Sequence, residues 1–230
     1  MGAALLQHHP GNATAGVTSI NIVFPSAVTP GSLLVCYIGT TAANRTLTVS
    51  DSVNGSYTQD VLSTGGAGST SIFTFPNTAA GTPTVTLTMS GAVGELDGII
   101  EEWSGVLTVS PKDQTASNSG VTVNTGTTGT TAALAQANDL CLALMHTAAN
   151  AGASYAVQSP FTADPDSPVP SSGGILLAVG NLVQTSTAGV SATFNWTNNQ
   201  SFRSCISTYK TVQLGQLAPL YSRKYVLFNT

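Results

Sequence analysis

One short stretch in the first half of the chain decides the fold class. Residues 83–89 read PTVTLTM, so the apolar side chains at 85, 87 and 89 alternate with threonines at 84, 86 and 88. Successive side chains of a β-strand point to opposite faces of the sheet, and strict alternation is therefore typical of a half-buried strand. The stretch predicts a strand whose valine, leucine and methionine point into a core.

The same period of two recurs along the chain. It predicts further strands at 17–24, 33–39, 46–50, 57–62, 71–75 and 98–103. Glycine, asparagine and proline separate these segments at about the 8 to 12 residue spacing that is typical of sandwiches and barrels. No amphipathic helix stands out. We therefore predict an all-β protein, an antiparallel β-sandwich of jelly-roll-like type.

A tight turn is predicted between two of these strands. Asn54-Gly55 supplies the two residues with positive φ that a type I′ hairpin turn requires. A calcium loop is the alternative, because Asp51 and Asn54 offer oxygen ligands. Too few carboxylates follow them to complete the six or more ligands of a calcium site.

The second half of the chain repeats the first loosely. Residues 33–35 (LLV) correspond to residues 140–142 (LCL) at an offset of 107 (33 to 140), and residues 80–81 to residues 188–189 at an offset of 108 (80 to 188). Trp103 and Tyr209 correspond at an offset of 106 (103 to 209). These nearly equal offsets suggest a duplication, with chance agreement in a low-complexity chain as the competing explanation.

Four segments follow from these patterns. They are an N-terminal arm at 1–16, a β-rich half at 17–110, a second β-rich half at 111–212 and a C-terminal extension at 213–230. The halves are either tandem sandwiches or one body with interleaved strands, and the sequence leaves this open. We expect the arm to be ordered only where something holds it, and the proline-rich loop at 159–174 to be a stiff, exposed excursion.

The chain carries few charges. It has 6 Lys+Arg and 10 Asp+Glu in 230 residues, a formal net charge of −4. Six cations spread over the whole length neutralise few phosphates, so we predict no nucleic-acid partner. The longest apolar runs, 33–38 and 140–145, are much shorter than the ~20 residues of a spanning helix, so we predict no membrane partner.

The three cysteines are predicted to be structural. Cys36, Cys141 and Cys205 each lie within an apolar or alternating stretch, which predicts buried free thiols. An odd count excludes a fully paired framework, although one Cys141–Cys205 bridge stays an alternative. No spacing of cysteine and histidine indicates zinc, and we predict no metal site and no cofactor.

The residue types of an active site are scarce. No histidine has an acid and a nucleophile near it in sequence. Glu101 and Glu102 are adjacent on a predicted strand and point to opposite faces, so they cannot flank one glycosidic bond. No helix follows the glycine pairs at 65–66 and 173–174 to build a phosphate loop. We predict that the protein is not an enzyme and has no catalytic residues.

The C-terminal extension is unlike a solvated tail. Residues 213–228 carry two of the six cations together with several large apolar side chains. The segment is either a final strand packed on its own domain or an extension that adds a strand to a neighbouring subunit. In the second case the predicted assembly residues are Leu217, Leu220, Tyr221, Arg223, Tyr225, Val226, Leu227 and Phe228.

Four short motifs combine into a pattern that spans most of the chain. Residues 102–106 read EWSGV, residues 29–35 read TPGSLLV, residues 80–82 read AGT, and Asp51-Ser52 precedes Tyr57 in the predicted hairpin. Together they resemble β-sandwich proteins encoded by tailed phages and bacterial genomes. The hairpin departs from that pattern, because it reads Asn54-Gly55 where the group has Gly-Asn. The likeness covers roughly residues 17–212.

The resemblance implies a role on a virus particle. Members of the group look like virion surface components, such as capsid decoration or tail-associated proteins, and a few resemble adhesion or sugar-binding modules. We therefore expect a non-enzymatic virion structural protein of a tailed phage, a capsid decoration protein on the particle surface. Its expected partners are the major capsid protein or other virion proteins and further copies of itself.

Two other functions remain as alternatives. A carbohydrate-binding or adhesion module would expose Trp103, Trp196 or Tyr155 beside a polar groove, whereas tryptophans in alternating strands are more often core residues. An extracellular filament subunit would insert its C-terminal extension into the next copy and form open polymers.

Overall fold

Two antiparallel sheets make up the described part of the chain. The computed structural model describes residues 2–65, 68–147, 155–170 and 176–213. In these ranges each sheet has seven strands and there is no helix. The predicted all-β, sandwich-like fold class is confirmed.

The first sheet is built from the first half of the chain. Its strand order is β4-β3-β7-β2-β6-β5, and β1 pairs with β7. The strands are β1 (Ala4–Val23), β2 (Leu33–Thr40), β3 (Leu47–Asp51), β4 (Gly55–Ser56), β5 (Thr58–Gly65), β6 (Gly68–Phe75) and β7 (Thr84–Ser104).

The second sheet is built from the second half. Its strand order is β10-β14-β9-β13-β11, while β12 pairs with β13 and β8 pairs with β14. The strands are β8 (Lys112–Thr127), β9 (Asp139–Thr147), β10 (Tyr155–Val157), β11 (Thr162–Ala163), β12 (Val169–Pro170), β13 (Leu176–Gln184) and β14 (Thr193–Tyr209).

The two sheets repeat one pairing scheme. Leu33 pairs with Trp103 between β2 and β7, and Leu140 pairs with Tyr209 between β9 and β14. The long strand that opens each half, β1 or β8, pairs with the long strand that closes it. The corresponding residues of the two halves, Leu33 with Leu140 and Trp103 with Tyr209, are separated by the offsets that the sequence repeat predicts. Between the described parts of the two halves the backbone pairing is a single bridge, Val106 to Thr211, so their strands do not interleave.

Strand β7 replaces two of the predicted strands. The segments at 83–89 and 98–103 belong to one strand of 21 residues, whose beginning pairs with β3 and whose end pairs with β2. This strand doubles back on itself, because a Cβ atom on Gly98 would lie 2.6 Å from the Leu87 side chain of the same strand. Only glycine permits this close approach. The first sheet therefore folds over to enclose a core.

Three apolar clusters hold the described residues together. The first lies inside the folded first sheet and includes Leu34 and Leu87, and the third lies within the second half around Phe194 and Ile206. The second cluster is shared by the two halves. Its buried members are Leu33, Val35, Tyr37, Ile72, Ile99, Trp103 and Val106 from the first half, and Leu140, Leu142, Leu144, Val169, Leu177, Val179, Cys205 and Tyr209 from the second.

Two expectations about the periphery need correction. Residues 4–16 are not a separate arm, because they continue into residues 17–23 as one strand that β7 holds along its length. The described part of the proline-rich loop, 159–170, is not an exposed excursion, since Phe161, Asp164 and Val169 are buried. These apolar and acidic side chains anchor the loop against the sheets.

The predicted hairpin is present with a different turn. Asp51 of β3 pairs with Gly55 of β4. Of the two predicted turn residues, only Gly55 has a positive φ, 90°, and Asn54 does not. The type I′ turn, which needs two such residues, is therefore wrong. The Asp51 carboxylate instead accepts hydrogen bonds from the Val53 and Asn54 amides (2.7 and 2.5 Å) and from the Tyr57 hydroxyl (2.9 Å). These internal donors use the oxygens that a calcium ion would need.

The cysteines are buried free thiols, as predicted. Cys141 packs in the third cluster and Cys205 in the second, on opposite faces of their sheet, so the alternative bridge does not form. Burial raises the pKa of Cys36, Cys141 and Cys205 well above the usual thiol range. Protonated buried thiols are unreactive, so these residues serve packing.

Candidate functional site

The predicted assembly residues lie outside the described part of the chain. Structural description ends at Gln213, so it does not reach Leu217, Leu220, Tyr221, Arg223, Tyr225, Val226, Leu227 or Phe228. The strongest concentration of functional groups within the described residues is a buried polar cluster between the two halves. We define this interhalf cluster as Tyr37, Glu101, Trp103, His8, Asp164 and Asp166.

Glu101 lies at the centre of the interhalf cluster. Its side chain shares a face of β7 with Ile99 and Trp103, as alternation predicts, and it is completely buried. The Tyr37 hydroxyl and the Trp103 indole N–H both donate to Glu101 Oε2, at 2.6 and 2.5 Å. Trp103 is therefore a core residue that orients a carboxyl group, and it is not exposed for stacking on a sugar.

Asp164 brings a second carboxyl group to the cluster from the other half. It lies in the loop before β12, a strand that contacts β1 and β7, and it is 2% exposed. The charge of the Asp164 carboxyl group acts on the neighbouring carboxyl group of Glu101. Glu101 Oε1 and Asp164 Oδ2 have no donor among the described residues. Burial, with the charge of Asp164 in addition, holds the pKa of Glu101 well above its usual range.

His8 and Asp166 complete the cluster on its outer side. His8 lies on β1 in register with Glu101, and its Nδ1 atom forms a hydrogen bond with Asp166 Oδ2. Their side chains are 30% and 23% exposed. The Asp166 amide donates to Asp164 Oδ1 at 3.1 Å, so the two aspartates are held in one turn of the loop. One ligand atom each from His8, Asp164 and Asp166 lie within 4.8 Å of one another.

The cluster was not visible in the sequence. Alternation predicts which face of its strand carries Glu101, but the sequence places Asp164 and Asp166 in an exposed loop and His8 in an arm. The Asp164-Pro165-Asp166 spacing is the only local signal that places two carboxylates close together. Nothing in the sequence places this loop beside β1, because the contact joins residues 158 positions apart.

The other acidic side chains of β7 have separate environments. Glu102, on the opposite face from Glu101 as predicted, accepts hydrogen bonds from the Thr29 amide and from Gln7 Nε2, both at 2.6 Å. Asp97 is buried without a donor among the described residues. Burial raises the pKa of Asp97 to about 8, and the negative charge of Glu95 is the second cause of this rise.

His146 is buried in the core of the described structure. Both of its ring nitrogens are buried and lack a hydrogen-bond partner there. Burial lowers the pKa of His146 to about 3, and the positive charge of Arg203 is the second cause of this decrease. Burial therefore favours the neutral form of this imidazole.

A shallow aromatic groove lies at the edge of the second sheet. The rings of Tyr155 and Trp196 stack with centroids 6.2 Å apart and an interplanar angle of 15°. The groove has a volume of about 380 Å³ and is also lined by Gln158, Asn195 and Thr197. Trp196 is only 4% exposed, so the accessible aromatic surface belongs to half-buried Tyr155.

Comparisons with known proteins give no relative. No protein-family model, curated protein or solved structure matches the chain. The resemblance to phage and bacterial β-sandwich proteins therefore stays a prediction. Among the described residues there is also no helix with the length and apolar character needed to cross a bilayer.

Proposed function

We propose that the chain is a non-enzymatic virion structural protein, a capsid decoration protein on the surface of a tailed-phage head. The observation that carries this proposal is the apolar cluster shared by both halves. A core that runs through both sheets makes them one rigid body, and rigidity suits a protein that must hold its shape on a particle. Its partners would be the major capsid protein or other virion proteins.

Polar contacts between the halves support the same role. Asp60 on β5 accepts a hydrogen bond from the Tyr209 hydroxyl on β14 at 2.8 Å and forms an ion pair with Lys112 on β8 at 3.3 Å. Ser63 donates to the Asn118 carbonyl at 2.8 Å. These contacts fix the orientation of one sheet on the other, which apolar packing alone specifies less sharply.

The C-terminal extension supplies the proposed means of assembly. Its apolar residues would add to a neighbouring copy, so the protein would act as a homo-oligomer. We would measure the mass in solution of the full chain and of a chain that ends at Gln213, by light scattering at several concentrations. The expected result is a closed oligomer for the full chain and a folded monomer for the shorter one. Near-ultraviolet circular dichroism of the buried tryptophans checks that the shorter chain is folded.

A full-length variant provides a matched control. Replacing Tyr225 and Phe228 by serine keeps the length of the chain and removes two of the apolar groups, so it should also give monomers. Monomers for every version would contradict assembly through this segment. Masses that grow without limit as the concentration rises would favour the filament subunit over a closed decoration protein.

The Tyr155–Trp196 groove favours a carbohydrate-binding module as the second candidate. Stacking on aromatic rings and hydrogen bonds to amides such as those of Gln158 and Asn195 are means of holding a sugar ring. The burial of Trp103 and Trp196 weakens this candidate, because neither indole face is available. Binding on a glycan array that Tyr155→Ala abolishes would support it, and the decoration proposal expects no such binding.

A further inference from the structure

We propose that His8, Asp164 and Asp166 bind one divalent transition-metal ion of the zinc class. The ion would join the first strand of one half to the loop before β12 in the other. This inference does not depend on the proposed virion role. It also departs from the sequence, which predicts no metal site.

The donor set is the first argument. An imidazole nitrogen and two carboxylate oxygens form a three-ligand set that zinc accepts, with water in the fourth position. The three ligand atoms already lie within 4.8 Å of one another. Zinc binds such atoms at about 2.0–2.2 Å, so small movements of the partly exposed His8 and Asp166 side chains would close the site.

The unsatisfied inner carboxyl groups are the second argument. Asp164 is 2% exposed and its Oδ2 atom has no donor among the described residues, and neither has the neighbouring Glu101 Oε1. Buried carboxyl oxygens are normally compensated by a donor or a cation. No lysine or arginine in the described part of the chain forms an ion pair with these groups. A bound cation would supply the missing compensation.

A metal ion can enter the site from the solvent on its outer side. The His8 and Asp166 side chains are 30% and 23% exposed, so a hydrated ion can reach them from solvent. Asp164 would then bind from the interior, held by the Asp166 amide on Oδ1. Glu101 would act as a positioning residue behind Asp164, fixed by its two donors from Tyr37 and Trp103.

Calorimetric titration of the chelator-treated full chain with zinc tests the proposal. The expected result is saturable binding of one ion per chain and a rise in the melting temperature with zinc. Removing a ligand should weaken binding by about tenfold or more, since even changes behind the ligands cost roughly that much. We therefore expect His8→Gln and Asp166→Asn to lose the tight site while their metal-free melting temperatures stay near that of the parent.

His9→Gln is the matched control. His9 neighbours His8 on β1 and is exposed to solvent, so the substitution removes an imidazole without touching the cluster. It should bind zinc as the parent does. The proposal would be overturned by the absence of saturable zinc binding to the parent. It would equally be overturned if His8→Gln and Asp166→Asn bound zinc with the affinity of the parent.

Discussion

Gly39 and His146 face each other between the two sheets. A Cβ atom on Gly39 would lie 2.3 Å from Cδ2 of His146 and 2.8 Å from the Leu177 side chain. The missing side chain of Gly39, on β2, thus makes the space that the imidazole on β9 fills. Packing between the halves depends on this pairing of a small residue with a large one.

Gly39→Ala should destabilise the protein by about 1–3 kcal/mol, the usual cost of adding a methyl group to a filled core. Urea unfolding followed by tryptophan fluorescence would measure the change in the free energy of unfolding. Gly2→Ala is the control, because a Cβ atom at Gly2 meets nothing within 4 Å. Equal stability of the two variants would show that the halves are not tightly packed at this point.

His146 should stay neutral far below the usual histidine range. Its pKa of about 3 in the folded protein lies below the usual histidine value of 6.5, so the unfolded state takes up the proton first as the pH falls. Its contribution to stability is therefore complete above pH 6.5 and is lost as the pH falls toward 3. Nuclear magnetic resonance should show constant His146 ring shifts between about pH 7 and pH 5. A titration near 6.5 would mean that the ring reaches solvent.

Asp97 should destabilise the fold as the pH rises. Its pKa of about 8 in the folded protein lies above the usual aspartate value of 3.8, so the folded protein keeps a proton that the unfolded chain releases. This contribution is complete below pH 3.8 and is lost as the pH rises toward 8. Asp97→Asn should thus exceed the parent in stability at pH 8 by about 3 kcal/mol or more, and match it near pH 4. Denaturant unfolding at the two pH values measures this, and a constant difference would contradict it.

Removing the Asp60 side chain should lower the stability of the fold far more than removing the side chain of its ion-pair partner, Lys112. Its side chain is 3% exposed and accepts hydrogen bonds from Thr74 and Tyr209, whereas the Lys112 side chain is 44% exposed. Asp60→Ala leaves two buried hydroxyl groups without their acceptor and should cost about 2–4 kcal/mol. Lys112→Ala should cost less than about 1 kcal/mol, as for other exposed ion pairs. Equal losses in thermal unfolding would mean that the ion pair dominates.

Alternation of side chains predicts where strands lie and which face of the sheet each residue occupies. The acidic pair of β7, Glu101 and Glu102, is one example. Glu101 points into the shared core and Glu102 away from it, as the period of two requires. Pattern reading fails at residues 90–97, which read SGAVGELD and carry few large apolar side chains, so the single strand β7 is predicted as two strands.

The interhalf cluster marks the limit of prediction from local pattern. Glu101 and Asp164 meet only because the loop before β12 crosses to the first half, and no periodicity encodes that crossing. The burial of Asp164 depends on tertiary packing, although its residue type and its neighbouring prolines favour an exposed turn. A polar residue in a stiff loop is therefore a weak guide to its final environment.

The pairing of Gly39 with His146 also has a consequence for the ancestry of the fold. The two residues occupy equivalent places, six positions after Leu33 and Leu140, and yet they touch each other. Equivalent positions that meet lie close to an approximate twofold axis. In a dimer of identical halves both would be the same residue, and two histidines would collide while two glycines would leave a void. Joining the halves in one polypeptide allows the two sides of the axis to differ, so this glycine–histidine pairing is one that a dimer of identical halves cannot form.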